Sequence, residues 1–297
     1  MFKRHQRSNE DIAFDILFAV LGFLALIICF YPMYFVVIAS FSNPRLVLTG
    51  HTFLIPRGIT LEGYKLVFED PRIWTGLKNT LAYTLGGTAI SLAATLMASY
   101  ALSRKELPFR NAIMMFFTIT MFFGGGLIPT YLVISDLGLL NTYWVMVLPG
   151  AVSVYNMIIA RTFFATNIPE ELFESARLDG CSYTRFLIKI GMPLCRAIVA
   201  VISLYYAVGY WNAYFDAMIY LSGKRGLFPL SLILREILIL NDASIDQMDI
   251  NTLLALEERR NVMKYAVIVV SSLPVMLIYP FVQRYFVKGV MIGAVKG

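Results

Sequence analysis

The stretch EELFESARLDGCSYTRFLIKIGMP, from Glu170 to Pro193, places seven charged residues between two long apolar runs. The chain around it has 297 residues, of which 58% are hydrophobic and only 15% are charged. Soluble domains are seldom so apolar and so poor in charge, and the long apolar runs predict membrane spans. A polar segment inside such a chain therefore needs an explanation of its own.

The first half of this stretch predicts a short helix. Pro169, Glu170 and Glu171 are typical of a helix start, because proline fits the first turn and acids complement the positive end of the helix. We expect this helix to run to about Leu178.

The second half predicts a turn and another short helix. Asp179-Gly180 is typical of a turn, since glycine adopts backbone angles that other residues resist. Ser182 is positioned to cap a second helix through Ile190, and we expect Gly191 and Pro193 to end it.

These two helices share an apolar face, formed by Leu172, Ala176, Phe186 and Ile190. Ala176 is small, which would let another surface approach closely. Two interpretations follow from the residues alone. The segment is either a docking element for a soluble partner or an amphipathic loop that rests on lipid headgroups.

Outside this segment the chain consists mainly of apolar runs. A membrane-spanning helix needs roughly 20 apolar residues, and six uncharged runs qualify. They are Ile16–Asn43, Asn79–Ser103, Asn111–Ser135, Leu137–Ala160, Ala197–Phe215 (continuing to about Leu221) and Tyr265–Gln283. The sequence therefore predicts an all-α integral membrane protein with six transmembrane helices. The first run is too long for a signal peptide and is interpreted as a retained span.

Basic residues indicate the orientation. With a cytoplasmic N-terminus, the inner segments hold 14 of the 25 Lys and Arg residues, as the positive-inside rule favours. This predicts that both termini and the region 167–193 are cytoplasmic, and that the loops 44–78 and 222–264 are extracellular. No linker divides the chain, so residues 1–297 are interpreted as a single transmembrane domain.

Several kinds of chemistry have no counterpart in the sequence. There is no phosphate-binding GxxxxGK[ST] loop, no HExxH and no CxxC, and the chain has only two histidines and three cysteines. The glycines Gly124–Gly126 lie inside an apolar run and predict a helix break or close helix packing. We therefore expect no catalytic residues, no metal site and no cofactor, and the net charge of +6 requires no nucleic-acid partner.

Ionisable residues within the predicted spans are scarce. Ion-coupled carriers usually need acids or histidines at membrane depth, and Asp216 is the one clear candidate, with Asp136 at an edge. An ion-coupled secondary carrier or channel remains the alternative function. A membrane-embedded enzyme would need a cluster of His, Asp or Cys at one depth, which the sequence does not show.

The segment ESARLDGCSYTRFLIKIGMP resembles the E-x-A-x-x-D-G signature of the membrane subunits of type I ABC importers. In that family this segment is the coupling helix, which contacts the ATP-binding subunit. The motif positions carry over to Glu174, Ala176, Asp179 and Gly180, with Phe186 following. Ser175 and Ala197 depart from the usual pattern, and neither change removes the turn.

The resemblance extends over nearly the whole chain. GYWNAYFDAMIYL (209–221) is similar to carbohydrate-uptake permeases, and QRYFVKGVMIGAVKG (283–297) to the end of maltose-type permeases. The region from Phe122 to Phe164 resembles the branch that takes up polysaccharides or oligosaccharides. The implied function is a permease subunit in a bacterial cell membrane, with an oligosaccharide as cargo.

The resemblance also implies the partners. They are a second homologous permease, ATP-binding subunits that hold ATP and Mg, and an extracellular solute-binding protein. Gly293–Gly297 would reach the ATPase interface, or else form a frayed tail. The loop 222–264 would contact the binding protein, or else only cap the bundle.

The cargo path is predicted from polar and aromatic residues in the fourth and fifth spans. The candidates are Tyr155, Asn156, Tyr210, Trp211, Asn212, Tyr214 and Asp216. Polar groups at membrane depth are costly unless they meet a partner or water, which favours a cavity. Hydrogen bonding to the second permease and an interfacial aromatic belt are the alternatives. The sequence leaves open whether the cargo is acidic or neutral.

Overall fold

In the computed structural model of the chain, residues 9–239, 260–278 and 280 are described, with side chains from residue 13 onward. The described residues form helices and no strands. The α-helices are α1 (Asn9–Ser40), α2 (Pro44–Leu48), α3 (Glu62–Glu69), α4 (Pro71–Ser103), α5 (Arg110–Phe122), α6 (Leu127–Asp136), α7 (Val154–Asn167), α8 (Glu170–Leu178), α9 (Tyr183–Phe186), α10 (Met192–Leu194), α11 (Arg196–Trp211), α12 (Tyr214–Tyr220), α13 (Leu230–Leu238) and α14 (Arg260–Ile278).

The chain divides into two compact units. The first contains the described residues 9–69 and 260–271, and α1 is its longest helix. The apolar side chains of α1 are exposed along nearly the whole helix, which is what a span facing lipid or another subunit requires. Within this unit, the Ser40 and Tyr64 hydroxyls lie 2.7 Å apart and hydrogen-bond. The single-domain organisation over residues 1–297 stays a prediction.

The second unit contains the described residues 70–239 and 272–278, and α4 is its central helix. Small hydroxyl side chains on α4 are fully buried and hydrogen-bond to neighbouring helices. Ser91 pairs with Tyr210 at 2.8 Å, and Thr95 pairs with Tyr206 at 2.5 Å. Such small polar residues let membrane helices approach closely and tie them together.

The apolar runs do not all become single straight helices. Among the described residues, three helices are long and apolar enough to cross a membrane, namely α4, α14 and residues Ala13–Ser40 of α1. Two bent pairs raise this number to five if each pair counts as one span. The six predicted spans and the cytoplasmic termini therefore stay predictions.

The third predicted span is broken where the glycines lie. Helices α5 and α6 meet at an angle of 113°, and Gly126 has a φ of +86°, which a residue with a side chain seldom adopts. The predicted helix break at Gly124–Gly126 is confirmed.

The fourth and fifth runs also differ from their predicted bounds. In the fourth, the helix α7 starts only at Val154, since Pro149 and Gly150 disfavour helix before it and Ser153 caps it. In the fifth, the chain leaves the helix after Trp211 and resumes at Tyr214, so Asp216 lies on the separate helix α12.

Residues 222–239 of the loop 222–264 contain α13 and pack on α4. The Asn79 side chain donates to the carbonyl oxygens of Gly226 (2.8 Å) and Phe228 (3.0 Å). The Leu230 amide donates to the Thr80 hydroxyl at 2.8 Å. Residues 240–259 of this loop and the C-terminal segment Gly293–Gly297 lie outside the described residues.

Candidate functional site

The polar insert has the helix–turn–helix form that its sequence predicts. Helix α8 spans Glu170–Leu178, the predicted bounds. Gly180 then has a φ of +74°, and its amide donates to the Arg177 carbonyl at 2.9 Å. Ser182 caps the next helix by accepting from the Arg185 amide. That helix does not end at Gly191 as predicted, because a π-helical turn at Leu187–Gly191 carries it on to Leu194.

The apolar face of the insert packs against its own chain. Phe173 and Phe186 are almost fully buried, and their rings meet edge to face at 5.2 Å. Phe186 also stacks on Tyr100 of α4, with ring centroids 6.1 Å apart. Ala176 is buried as well, at 8% exposure. Two predicted coupling residues, Ala176 and Phe186, therefore anchor the insert and do not form its outer surface.

The outer surface is formed by the other predicted residues and by one that the sequence reasoning missed. Glu174, Asp179 and Gly180 are exposed. Leu178, directly before the turn, is 90% exposed. The sequence signal for Leu178 is its helical spacing, which places it outside the face that carries the buried residues 173 and 176.

Two cations hold the insert to the end of α4. Lys105 forms an ion pair with Glu170, and this hydrogen-bonded charge lowers the pKa of the Glu170 carboxyl. The Arg104 guanidinium lies over the rings of Tyr100 (5.0 Å) and Phe173 (5.2 Å). Such cation–π contacts stabilise by about 2 kcal/mol where the cation is desolvated. Sequence reasoning missed Arg104, because the contact joins residues 69 positions apart.

A cavity of about 930 Å³ lies between α6, α7, α11 and α12. Its wall is mostly apolar and aromatic, with a few polar groups, as in most ligand sites. Five tyrosines line it: Tyr155, Tyr205, Tyr206, Tyr210 and Tyr220. Thr130, Ser153, Asn156 and Asp216 add polar side chains to this wall.

Hydrogen bonds fix the tyrosines of this wall in place. The Tyr206 hydroxyl pairs with Thr95 and accepts from the Ser153 amide at 2.9 Å. The Tyr210 hydroxyl pairs with Ser91 and donates to the Val147 carbonyl at 3.0 Å. Because both hydroxyls are already engaged, these two residues offer a cargo mainly their ring faces.

Asn156 and Asp216 are two polar groups of the cavity wall with unused hydrogen-bonding capacity. Asn156 is 5% exposed, and its side-chain amide bonds to no other described residue. Asp216 is exposed to the cavity and forms no ion pair within residues 13–239 and 260–278. Because its side-chain amide lines the cavity with this capacity free, Asn156 is suited to bind a ligand hydroxyl.

The structure brings together four of the seven predicted path residues. Tyr155, Asn156, Tyr210 and Asp216 line the cavity. The other three predicted residues do not line the cavity. Trp211 is buried at 8% exposure, the Asn212 side chain donates to the Val208 carbonyl, and Tyr214 packs edge-on against Phe215.

The sequence reasoning also missed part of the wall. Tyr205 and Tyr206 precede Tyr210 on the same helix, and the spacing of 206 and 210 places both on one face. Tyr220 comes from the helix after the break, so its place depends on that break.

Comparisons with known proteins agree with this architecture. A family model described as "Binding-protein-dependent transport system inner membrane component" matches residues 90–292. The Polygalacturonan/rhamnogalacturonan transport system permease protein YtcP of Bacillus subtilis (strain 168) is 39% identical over 287 residues, covering 96% of this chain and 98% of the relative. Protein LplC of the same strain is 37% identical over 266 residues, covering 90% and 89%.

A solved structure is similar over the same length. It is described as the crystal structure of a bacterial ABC transporter involved in the import of the acidic polysaccharide alginate. The similarity has a TM-score of 0.85 at 32% identity, and it covers 94% of this chain and 98% of that one. The resemblance drawn from the sequence motifs is thereby confirmed. A family match over more than half the chain, with relatives above 30% identity along most of their length, means that this chain belongs to the family of binding-protein-dependent transport system inner membrane components.

Proposed function

We propose that this chain is a non-catalytic permease subunit of an ATP-driven importer and forms part of the membrane path for an oligosaccharide. A second, related permease completes the path, and an extracellular solute-binding protein delivers the cargo. Two ATP-binding subunits hold ATP and Mg and hydrolyse the nucleotide. The transport roles in the names of the relatives support this assignment.

We further propose that the chain crosses the bacterial cell membrane six times, with both termini in the cytoplasm. The three long apolar helices and the two bent pairs support five of these crossings. The remaining crossing is assigned to α7 together with the apolar residues before it, from Leu137 on. In this arrangement the polar insert faces the cytoplasm, where the ATP-binding subunits lie.

The continuity of one buried cluster is the observation that carries the proposal. Phe173 and Phe186 of the insert belong to the same packed cluster as Tyr206 and Tyr210 of the cavity wall. Close-packed interiors transmit displacements instead of absorbing them. A movement of α8, driven by closure of the ATP-binding subunits, would therefore reach the walls of the cavity.

The cavity wall favours neutral saccharide units. Ring faces of tyrosine pack on the apolar faces of sugars, while Asn156 and Asp216 offer acceptors and donors for hydroxyl groups. No Lys, Arg or His lines this cavity among the described residues. The carboxylates of a uronate need cationic or other charge-assisted partners. An acidic cargo would therefore have to obtain its cations from the second permease.

An ion-coupled carrier or channel is the alternative function. It would use Asp216 as its one carboxylate in the described wall and would transport without ATP-binding subunits. The anchored insert has no role in that alternative, whereas it is required for coupling to an ATPase.

The decisive experiment compares wild type with Gly180→Pro in the reconstituted assembly. Proline fixes φ near −65° and removes the amide donor, whereas Gly180 has a φ of +74° and donates to Arg177. We expect cargo-stimulated ATP hydrolysis to fall more than tenfold. Gly180→Asn is the matched control, because asparagine tolerates this backbone conformation and keeps the amide.

Each result has a distinct meaning. Loss of stimulation in Gly180→Pro but not in Gly180→Asn supports coupling through the insert. Transport that is unchanged in both variants and independent of ATP would overturn the proposal in favour of the carrier. Running the assay with a neutral and a uronate oligosaccharide also tests the cargo class, because stimulation by the uronate would mean that its cationic partners come from the second permease.

A further inference from the structure

A second cavity, of about 570 Å³, lies at the junction of the insert with the helix ends. The end of α4, the start of α5, the end of α7 and the start of α8 surround it. Four cations line it, namely Arg104, Lys105, Arg110 and Arg161, together with the two carboxylates of Glu170 and Glu171. The lining therefore carries an excess of two positive charges.

Arg104 is the residue that makes this cavity unusual. Its side chain is 94% buried by the chain, with 6% exposure, and it has no carboxylate within ion-pair distance among the described residues. Its one hydrogen bond is a long one, 3.5 Å from Nε to the Ser103 hydroxyl. A guanidinium has five N–H donors, so most of its capacity is unused. The cation–π contacts with Tyr100 and Phe173 offset part of the cost of burying this charge, and an anion would supply the hydrogen-bond acceptors that the guanidinium lacks.

The neighbouring cations add to the positive electrostatic potential of this cavity. The Arg161 Nε donates to the Leu102 carbonyl at 3.0 Å, which fixes the guanidinium beside the cavity. Arg110 is half-buried at the start of α5. Lys105 is paired with Glu170 and is thereby neutralised, which leaves three arginines facing the one remaining carboxylate, that of Glu171.

The side chains in and beside this cavity indicate which kind of anion it binds. Several arginines converging on one cavity match an anion with multiple oxygen acceptors, such as a phosphate group. Next to the cavity, Phe109, which precedes α5, is 82% exposed, and α5 itself exposes apolar side chains such as Met115 (65%) and Phe116 (65%). Basic pockets at the ends of membrane helices, with an apolar surface beside them, are suited to anionic lipid headgroups.

We propose that this cavity binds the phosphate group of an anionic phospholipid, whose acyl chains lie along the exposed face of α5. Free inorganic phosphate shares the chemistry of the headgroup and is distinguished from it by experiment. This inference goes beyond the proposed function. It rests on the placement of the chain in a membrane and on no property of the cargo.

Arg110→Gln is the test variant and Arg196→Gln its control. Arg110 makes no ion pair among the described residues, so its loss removes one cation and leaves the packing of Arg104 on Tyr100 and Phe173 in place. Arg196 is exposed at the start of α11 and does not line the cavity. Circular dichroism and co-purification of the partner subunits check that both variants fold and assemble.

The assembled transporter is purified from bilayers that contain phosphatidylcholine with or without phosphatidylglycerol, and retained lipid is counted by native mass spectrometry. We expect the assembly to retain phosphatidylglycerol in preference to phosphatidylcholine. Arg110→Gln should weaken this retention about fivefold, as expected for one cation near an anionic lipid, and Arg196→Gln should not change it.

A second arm titrates inorganic phosphate into assemblies that contain only phosphatidylcholine. Bound phosphate that Arg110→Gln loses, without selective retention of phosphatidylglycerol, assigns the same site to the free ion. Equal retention of both lipids with no bound phosphate would overturn the proposal. Retention of as much anion by Arg110→Gln as by wild type would also overturn it, because the anion would then bind elsewhere.

Discussion

Gly87 shows how tightly the cavity wall is built at the level of single residues. A Cβ atom at this position would lie 2.6 to 2.8 Å from three atoms of the Tyr210 ring. The ring is also held by the hydrogen bonds of its hydroxyl to Ser91 and Val147. Neither the glycine backbone nor the ring can therefore move without the loss of packing contacts or of a hydrogen bond.

We expect Gly87→Ala to destabilise the protein. Overpacking of this kind costs about 1–3 kcal/mol, and the gain in helix propensity offsets up to about 1 kcal/mol of it. The thermal unfolding midpoint of the purified transporter measures the net effect, which should be a decrease. Gly209→Ala is the control, because no atom lies within 4 Å of its Cβ position. A midpoint for Gly87→Ala equal to that of the control would contradict this account of the packing.

The hydroxyl pairs of α4 illustrate what single residues do not reveal. Ser91 and Thr95 are small polar residues in an apolar helix, and their positions alone indicate close helix packing. Their partners, Tyr210 and Tyr206, lie more than 100 positions away. No local pattern identifies those partners, because they depend on how α4 and α11 are rotated against each other.

At the scale of the element, α8 combines an anchored face with an exposed one. Phe173 contacts Phe186, Tyr183 and Arg104 on the buried side. Leu178 projects from the other side and is 90% exposed. A coupling element needs both faces, since a movement imposed on the outer face must be passed to the rest of the chain.

Substitutions on the two faces should therefore have different effects, one on the stability of the protein and the other on its association with the ATP-binding subunits. Phe173→Ala should lower stability by about 3–5 kcal/mol, measured by denaturation of the purified assembly. Leu178→Ala should change stability by less than about 0.5 kcal/mol and yet weaken association with the ATP-binding subunits about tenfold, measured by co-purification. Leu194→Ala, which is also exposed but lies outside α8, controls for the loss of a surface leucine. If Leu178→Ala associates like wild type, the tip of α8 is not a contact.

The elements differ in how far their sequence predicts them. The bounds of α8 follow from local signals, which are the acids after Pro169 and the glycine at 180. The fourth predicted span, Leu137–Ala160, was assigned on apolarity alone, and apolarity does not distinguish a helix from buried irregular chain. Pro149 and Gly150 were the local signal that the helix starts later.

At the scale of the whole molecule, the arrangement across the membrane is open to a direct test. Single cysteines are introduced at Leu178→Cys and Arg225→Cys, in a chain whose three native cysteines are replaced. Both sites are exposed, and one crossing separates them in the proposed arrangement. An impermeant maleimide should label Arg225→Cys in intact cells. It should label Leu178→Cys only after permeabilisation, in cells that lack the ATP-binding subunits, which would otherwise cover this site. Labelling of both sites from outside would contradict a cytoplasmic insert.

The sequence by itself determined the class of this protein, its apolar helices, the helix α8 and the turn at Gly180. These features depend on residues close together in the chain, through hydrophobic runs, capping and backbone freedom. Only the tertiary structure decided that Asn156 and Asp216 face one cavity, that Trp211 and Asn212 do not, and that Phe186 points inward. The physical reason is that burial and hydrogen bonding between helices depend on which faces meet. That choice is made by the packing of distant segments such as α4, α7 and α11 and not by any one of them.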